Sequence, residues 1–421
     1  MVRAVVGSVI ILSSVLLVVF LADEKEEMAD SFVQKNHYPI VFVHGLAGWG
    51  RDEAFGFKYW GGLNDIEEHL NKRGYSTYTA TVGPVSSNYD RAVELYYYIK
   101  GGTVDYGAFH AEKYGHSRYG RTFEGIYPQW DHNHPLHLIG HSMGGLTSRA
   151  LVDLLIDGNA EEQVYATVNQ DEELSPLFKG NKNWVHSVTT IGTPHNGSTF
   201  ADEDNELAVF IKELVFYIVA VSGGDVSTFN YDFKLDQWGI KRSVNEDFSV
   251  YLQRVMNNNI WSSEDISIHD LDTKGAEINN SWMDTHEDIY YFSYTGQTTF
   301  QDKVTEHYVP SPLTNPMMVQ PAIFIGSYSR NQPSPAIDES WWPNDGLVST
   351  VSSVYPFNHP ATLYKKGQEA NKGLWNYYPV QNEWDHLDQL GFNVASYVLP
   401  KHNMNDFYEG VARQLLALPA R

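Results

Sequence analysis

The chain of 421 residues contains no cysteine. That excludes a thiol nucleophile, a thiolate zinc cage and every disulfide. Stability must then come from an apolar core, from ions held on nitrogen and oxygen ligands, or from both. Basic residues are also scarce: Lys and Arg number 29 against 52 Asp and Glu, for a net charge of −23. So acidic a chain offers no electrostatic footprint for nucleic acid. It gains nothing from an anionic membrane either, so lipid contact would have to be apolar. Internal repeats and low-complexity tracts are missing. What is plentiful is apolar and aromatic, 42% and 14% of the residues, with 27 Tyr and 11 Trp. That is ample for a packed core, and such amphipathic rings are common at binding surfaces. The length fits two domains, or one domain with large insertions.

At the N-terminus, Arg3 precedes an apolar run from Ala4 to Ala22, and an acidic stretch follows. A basic residue before an apolar segment predicts residues 1–22 as a signal peptide. The run of nineteen residues is nearly long enough for an uncleaved signal anchor. Phe20 stands where cleavage after Ala22 wants a small residue, which keeps the anchor reading open. Either way the body of the protein is expected in the lumen or outside the cell. Residues 23–37 read as a flexible polar lead-in. Two glycosylation sequons begin at Asn196 and Asn279.

One stretch stands out for its chemistry. Leu136-His137-Leu138-Ile139 runs into Gly140-His141-Ser142-Met143-Gly144, and Leu146, Ala150, Leu151, Leu154 and Leu155 follow at helical spacing. The order reads as strand, tight turn, helix, with a serine at the corner, as in a nucleophile elbow. Small neighbours let the backbone turn tightly and hold the serine Oγ out at the top of a sheet. Gly-x-Ser-x-Gly alone is a weak signal in a glycine-rich chain; the strand and helix around it give it weight.

Strands and helices alternate on either side. Residues 38–43, 75–82, 184–191, 289–294 and 375–378 are predicted strands; 62–73, 89–100 and about 404–418 are predicted helices. Residues 101–131 have no clean period and read as an insertion. The pattern indicates an α/β fold, with a mostly parallel central sheet flanked by helices. The first strand ends in His44-Gly45-Leu46-Ala47-Gly48, a turn able to aim backbone N–H groups into a site. Residues 206–221 are apolar on almost every face, with Lys212 and Glu213 the only interior charges. Such a helix is either core or a flap over a site.

A serine nucleophile needs a base, and the base an orienting acid. In α/β-hydrolases the acid and then the histidine follow the serine along the chain. Asp345, in a Pro-Asn-Asp-Gly turn, and His386, between the last predicted strand and helix, are the first candidates. Asp338 and Asp385 compete with the one, His359 and His402 with the other. A second constellation is Asp90, His110, His116 and Asp265. Two histidines six apart mean little among 17, yet two imidazoles with two carboxylates would suit a closed tetrahedral zinc.

Longer words carry a resemblance. They include Val43-His44-Gly45, Gly48-Trp49-Gly50-Arg51, Phe55-Gly56-Phe57-Lys58-Tyr59-Trp60-Gly61-Gly62, Gly101-Gly102-Thr103-Val104-Asp105-Tyr106-Gly107, Gly120-Arg121-Thr122, Tyr231-Asp232-Phe233-Lys234-Leu235-Asp236-Gln237-Trp238-Gly239 and Asn344-Asp345-Gly346. As a set they resemble the bacterial true lipases of the bacillar and staphylococcal type, over about residues 38 to 418. The resemblance implies one α/β-hydrolase domain over 38–421, with a triad of Ser142, Asp345 and His386 and an oxyanion hole from the backbone N–H groups of Leu46 and Met143. It implies a helical lid over about 199–240. It also implies a structural zinc on Asp90, His110, His116 and Asp265, in an insertion of about 90–131 joined by Asp265. A calcium site would use Asp388, Asn393, Val394 and a carbonyl near Pro312. There the family pattern is altered, with Asp for Glu, Asn for Asp and Val for Pro, so one carboxylate is lost. The implied activity is that of a secreted serine lipase, hydrolysing triacylglycerol esters at an oil–water interface through an acyl-enzyme. A phospholipase or broad carboxylesterase is the alternative in the same class; a non-catalytic lipid-binding or adhesion protein on a hydrolase scaffold is the alternative outside it.

Overall fold

The computed structural model describes residues 33–169, 173–203, 206–331, 335–365, 367–392 and 403–421. The expected signal or anchor, most of the lead-in, His402 and the calcium candidates Asn393 and Val394 lie outside these residues.

The centre is a seven-stranded sheet. Its strands are β1 (Ile40–Val43), β2 (Thr77–Ala80), β3 (Leu136–His141), β4 (Val185–Ile191), β5 (Tyr290–Tyr294), β6 (Ala361–Leu363) and β7 (Trp375–Tyr377). The spatial order is β6-β7-β5-β4-β3-β1-β2, and every neighbouring pair is parallel. Strands β1, β3, β4 and β5 are buried along their whole length, as apolar runs covered on both faces must be. Ala361-Thr362-Leu363 carries too little apolar signal to read as a strand in the sequence. It becomes the edge strand β6 by pairing with β7.

Helices connect these strands. Helix α1 (Asn88–Lys100) starts where the Ser87 side chain accepts the Asp90 N–H and stops at Gly101, whose φ is 94°. The region 101–131 is more ordered than its sequence implies. Gly102–Asp105 and Tyr119–Phe123 pair antiparallel, and helix α2 (Ala108–Tyr114) lies between them in sequence. Helix α3 (Met143–Ile156) follows β3 directly. Its Ala150, Leu151, Leu154 and Leu155 share a core with Ala92, Val93, Leu95 and Ile99 of α1 and with Val41, Val43 and Leu138 of the sheet. Helix α4 is Glu206–Val221 and α5 is Met404–Leu416.

Among the described residues, 38–409 form one compact unit, and a second joins 33–37 with Gly410–Arg421. Within the second, the Asn36 amide donates to the Leu415 and Leu418 carbonyls, so the polar lead-in is tied down at its end. Among the described residues no helix is long and apolar enough to cross a membrane.

Candidate active site

Ser142 stands at the corner between β3 and α3 with φ 55° and ψ −131°. Non-glycine residues avoid this conformation, and it persists only where surroundings over-determine it. Here the Ser142 N–H donates to Ile191 O at 2.8 Å, and the Thr193 hydroxyl donates to Ser142 O at 2.9 Å. Serine at a helix N-cap usually spends its Oγ on the first turn. Ser142 makes no such bond, so its hydroxyl is left for chemistry. The helix start also presses on β1: a Cβ on Gly144 would sit 2.0 Å from Val43 O, so only glycine fits there.

His386 and Asp345 meet as the sequence order implies. His386 Nδ1 is 2.8 Å from Asp345 Oδ2, and the His386 N–H donates to Asp345 O at 2.7 Å. Asp345 Oδ1 accepts the N–H groups of Leu347 and Val348 at 3.0 and 2.8 Å. The Gln389 amide adds a bond to Oδ2 at 3.2 Å. The competitors fall away on geometry. Asp385 spends its Oδ1 on the N–H groups of Leu387 and Asp388 and its Oδ2 on that of Asn315. Burial, then the charge of Asp388, pushes it up to about 8. Asp338 caps a short turn through Ser340. His359 lines a separate polar groove with His286.

The turn after β1 carries one unpaired N–H, that of Leu46, and the start of α3 carries a second, that of Met143. The Gly45 N–H goes to the Tyr59 hydroxyl, that of Ala47 to Pro84 O and that of Gly145 to Ser142 O. Among the described residues no acceptor meets the N–H of Leu46 or of Met143. Leu46 lines the cavity over Ser142, and Met143 is the first residue of α3, where helix N–H groups have no partner of their own.

One link was not read from the sequence. Tyr59 accepts the Gly45 N–H at 2.8 Å and donates to His141 Nδ1 at 2.7 Å. His141 Nε2 then donates to His386 O at 3.0 Å. Burial, with the nearby charge of His386, holds His141 well below the usual imidazole range, so it stays neutral with one proton to give. The residue before the nucleophile thereby joins the Leu46 turn to the histidine loop. Both partners were in view, Tyr59 in a matching word and His141 in the elbow, but nothing in their spacing pairs them.

Ser142 and His386 open into one cavity, lined by Leu46, Phe200, Leu207, Phe210, Leu214 and Phe392 among others, of about 50 Å³. Among the described residues, no Lys, Arg, Asp or Glu lines it. Leu207, Phe210 and Leu214 come from α4, whose Val209 and Phe216 are exposed on another side. Residues after the helix are anchored. Phe229, Tyr231 and Phe233 are buried, Lys234 pairs with Glu53 at 2.8 Å, and Arg121 pairs with Asp232 and Asp236 at 3.1 and 2.6 Å.

The four candidate zinc ligands converge. Gly115, in the left-handed conformation, ends α2 and turns the chain so that His116 returns beside His110. A bridge between Ser86 and Ile266 sets Asp265 beside the start of α1. His110 Nε2 lies 3.2 Å from Asp90 Oδ1 and from Asp265 Oδ2, and His116 Nε2 lies 3.2 Å from Asp265 Oδ2. Ligands about 2.0 Å from a tetrahedral zinc stand about 3.3 Å apart, so the cage has the right size. Asp90 Oδ1 and His116 Nε2 are buried with no hydrogen-bond partner. Outer contacts orient the ligands: Ser117 O accepts from His116 Nδ1 at 2.9 Å, and Gln237 donates to Asp90 Oδ2 at 2.9 Å. Burial opposes a charge on His110, but Asp265 and Asp90 outweigh it and push the imidazole up to about 9. Two carboxylates and two imidazoles held this close favour a divalent cation at their centre.

Of the calcium candidates, Asp388 is buried and its Oδ2 accepts the Asp385 N–H at 3.2 Å, while Pro312 is exposed. Neither sequon is open to a glycan. Asn196 and Asn279 are 3% and 5% exposed. The Asn196 amide bonds Ser352 O, Tyr355 O, Phe357 N and Asn280, and that of Asn279 bonds Asp270.

A family model described as lipase-like, C-terminal domain matches residues 36–420. The chain is 40% identical over 398 residues to lipase 1 of Staphylococcus aureus, covering 94% of this chain and 56% of that protein. It thus spans about half the length of the curated relatives it matches. Among solved structures, EstA from Clostridium botulinum is 44% identical with a TM-score of 0.84, covering 94% of this chain and 91% of that one. Lipase 1 from Pelosinus fermentans is 44% identical with a TM-score of 0.82, covering 91% and 100%. The fold is that of an α/β-hydrolase, as the resemblance implied, and the chain belongs to the lipase-like C-terminal domain family.

Proposed function

We propose that the protein is a serine lipase that hydrolyses the ester bonds of triacylglycerols. The observation that carries this reading is the meeting, at one apolar cavity, of a strained serine and a histidine held by a buried carboxylate, with Leu46 in the cavity wall. Ser142 Oγ attacks the ester carbonyl carbon while its proton passes to His386 Nε2. The oxyanion is held by the N–H groups of Leu46 and Met143. His386 then protonates the departing alcohol, leaving the acyl group on Ser142. Water gives a proton to His386 and attacks the acyl carbon; His386 then returns that proton to Ser142 Oγ as the acyl–oxygen bond breaks and the fatty acid leaves. Asp345 Oδ2 accepts from His386 Nδ1 and fixes the imidazole with its proton there.

Helix α4 is the lid. A cavity of about 50 Å³ is far below the roughly 300 Å³ at which ligand pockets begin, so substrate entry requires α4 to leave. Its apolar inner face would then meet lipid in place of the cavity wall. The anchoring of 229–240 confines this movement to the first part of the expected 199–240 segment. A lining without a cationic side chain suits a neutral glyceride better than a phosphate-bearing lipid. On emulsified long-chain triglyceride, short soluble ester and phosphatidylcholine, the purified protein is expected to turn over triglyceride at least about tenfold faster than phospholipid, a difference of about 1.4 kcal/mol in barrier. Faster phospholipid hydrolysis would replace the reading with that of a phospholipase; hydrolysis of the soluble ester alone would make it a carboxylesterase.

Zinc is the ion we assign to Asp90, His110, His116 and Asp265, in a structural role, since four protein ligands close its coordination. Strong chelation is expected to lower the melting temperature by about 10 °C or more, because metal binding is folding free energy here. Readdition of zinc should restore it; an unchanged melting curve with no zinc in the purified protein would remove the assignment. For calcium, Asp388 with Asn393, Val394 and the carbonyl near Pro312 remain the proposed ligands. Export, by a cleaved signal or as an anchored protein, is our reading of the apolar run after Arg3.

A further inference from the structure

Arg91 is fully buried on α1. Buried guanidinium groups ordinarily face a carboxylate. Among the described residues no carboxylate lies within ion-pair distance of this one, and all its bonds go to neutral oxygens. Nη1 donates to Gly83 O at 2.7 Å, Nη2 to His44 O and Nε to Thr147 Oγ1 at 2.8 Å. Burial pulls Arg91 down to about 10, so it remains a cation at neutral pH.

The places these bonds reach are the informative part. His44 O lies two residues before Leu46, at the root of the turn that offers the first unpaired N–H. Thr147 accepts from Arg91 and in turn donates to Met143 O at 3.1 Å, and Met143 offers the second. Gly83 O belongs to the neighbouring segment whose Pro84 O accepts the Ala47 N–H, on the far side of the same turn. One planar guanidinium therefore ties both halves of the donor pair, which come from separate strand ends, β1 and β3. Its rigid fork holds such an arrangement better than an ammonium point charge could.

We propose that Arg91 is a positioning residue for the oxyanion hole, setting the separation of the Leu46 and Met143 N–H groups through His44 O and Thr147. The proposal rests on the reading of Ser142 as nucleophile with those two donors. An oxyanion exists only in the transition state and its tetrahedral mimics. Loosened donors therefore depress kcat and the affinity for a tetrahedral adduct, and leave KM alone. A plain core brace would lower the melting temperature and move neither.

The test compares Arg91→Gln, Arg91→Lys and Thr147→Val with the wild type on p-nitrophenyl butyrate. It adds inhibition by a phenylboronic acid, which forms a tetrahedral adduct with the serine, and thermal melting. Thr147→Val keeps the shape of the side chain and removes only the link. We expect kcat to fall about tenfold in Thr147→Val and about a hundredfold in Arg91→Gln, since small misplacements of catalytic groups have effects of that order. KM should stay within about twofold, boronate affinity should fall in parallel with kcat, and Arg91→Lys should recover part of the loss. The proposal is overturned if kcat and boronate affinity match the wild type in folded Arg91→Gln and Thr147→Val. It is equally overturned if both variants lose their fold, which would make Arg91 a core brace. Ser142→Ala serves as the control: hydrolysis surviving in that variant removes the underlying reading, whereas an inactive Ser142→Ala beside fully active Arg91 variants removes only the role of Arg91.

Discussion

Ser142→Ala is expected to lower kcat for ester hydrolysis on the order of 10⁶-fold, with the fold and the melting temperature nearly unchanged. The nucleophile is lost outright, and the chain has no thiol to take its place. What remains is the modest acceleration that binding and the Leu46 and Met143 donors give to attack by water. Stability should hold because the Ser142 hydroxyl caps nothing. The bonds that fix the corner, to Ile191 O and from Thr193, involve the Ser142 backbone and survive the change. Alanine tolerates φ 55° no better than serine, so the strain carries over without a new penalty. Initial rates on triglyceride and on a soluble ester, beside a thermal melt, decide the matter. Activity above about 1% of wild type in a folded variant would place the nucleophile elsewhere, since the residual rate should lie orders of magnitude lower.

Asp345→Asn should be nearly as damaging, with kcat down about 10⁴-fold at neutral pH. The size of the effect follows from the wiring of the carboxylate. Oδ1 is occupied by the N–H groups of Leu347 and Val348, so an asparagine keeps its carbonyl oxygen there. Its NH2 group must then face His386 Nδ1 and drive the ring proton onto Nε2, where it blocks removal of the serine proton. The same NH2 group meets the Gln389 amide, which now donates to Oδ2. Gln389 Oε1 has no hydrogen-bond partner, so rotation of that amide relieves the clash at little energetic cost. The prediction is therefore a folded, correctly assembled, slow enzyme. A loss below about tenfold would show that Asp345 does not set the tautomer, for a wrong tautomer costs far more.

Much of this architecture was legible in the sequence, for identifiable reasons. The buried strands are short β-branched or aromatic runs, and burial on both faces leaves such runs unbroken by charge. The elbow is legible because one corner needs three special residues, two small and one reactive, between a strand and a helix. Asp345 and His386 were reachable through chain order, but order alone could not separate Asp345 from Asp385. That needed the backbone N–H groups that occupy Asp385 on both oxygens. The antiparallel pair within 101–131 was not legible. Gly102–Asp105 and Tyr119–Phe123 have no apolar alternation: most of their residues are exposed or half-buried, and among them only Val104 is buried in the core. The edge strand β6 escaped for a similar reason, being held by a neighbour rather than by its own pattern. Tyr59, His141 and Arg91 illustrate a deeper limit. Each acts through a backbone atom of another segment, and backbone atoms leave no trace in residue identity.

The sealed side-chain amides of Asn196 and Asn279 have a consequence for where this protein can be made. Oligosaccharide transfer in a eukaryotic secretory pathway acts on the chain as it emerges, before folding hides anything. A sugar attached at either asparagine would then have to be accommodated where the amide now bonds neighbouring backbone and side chains, leaving those groups unsatisfied in the interior. The acceptor motifs are thus harmless in a folded molecule and obstructive in a nascent one. Yield from a glycosylating host is set by a race between collapse and modification, and a bacterial host runs no such race.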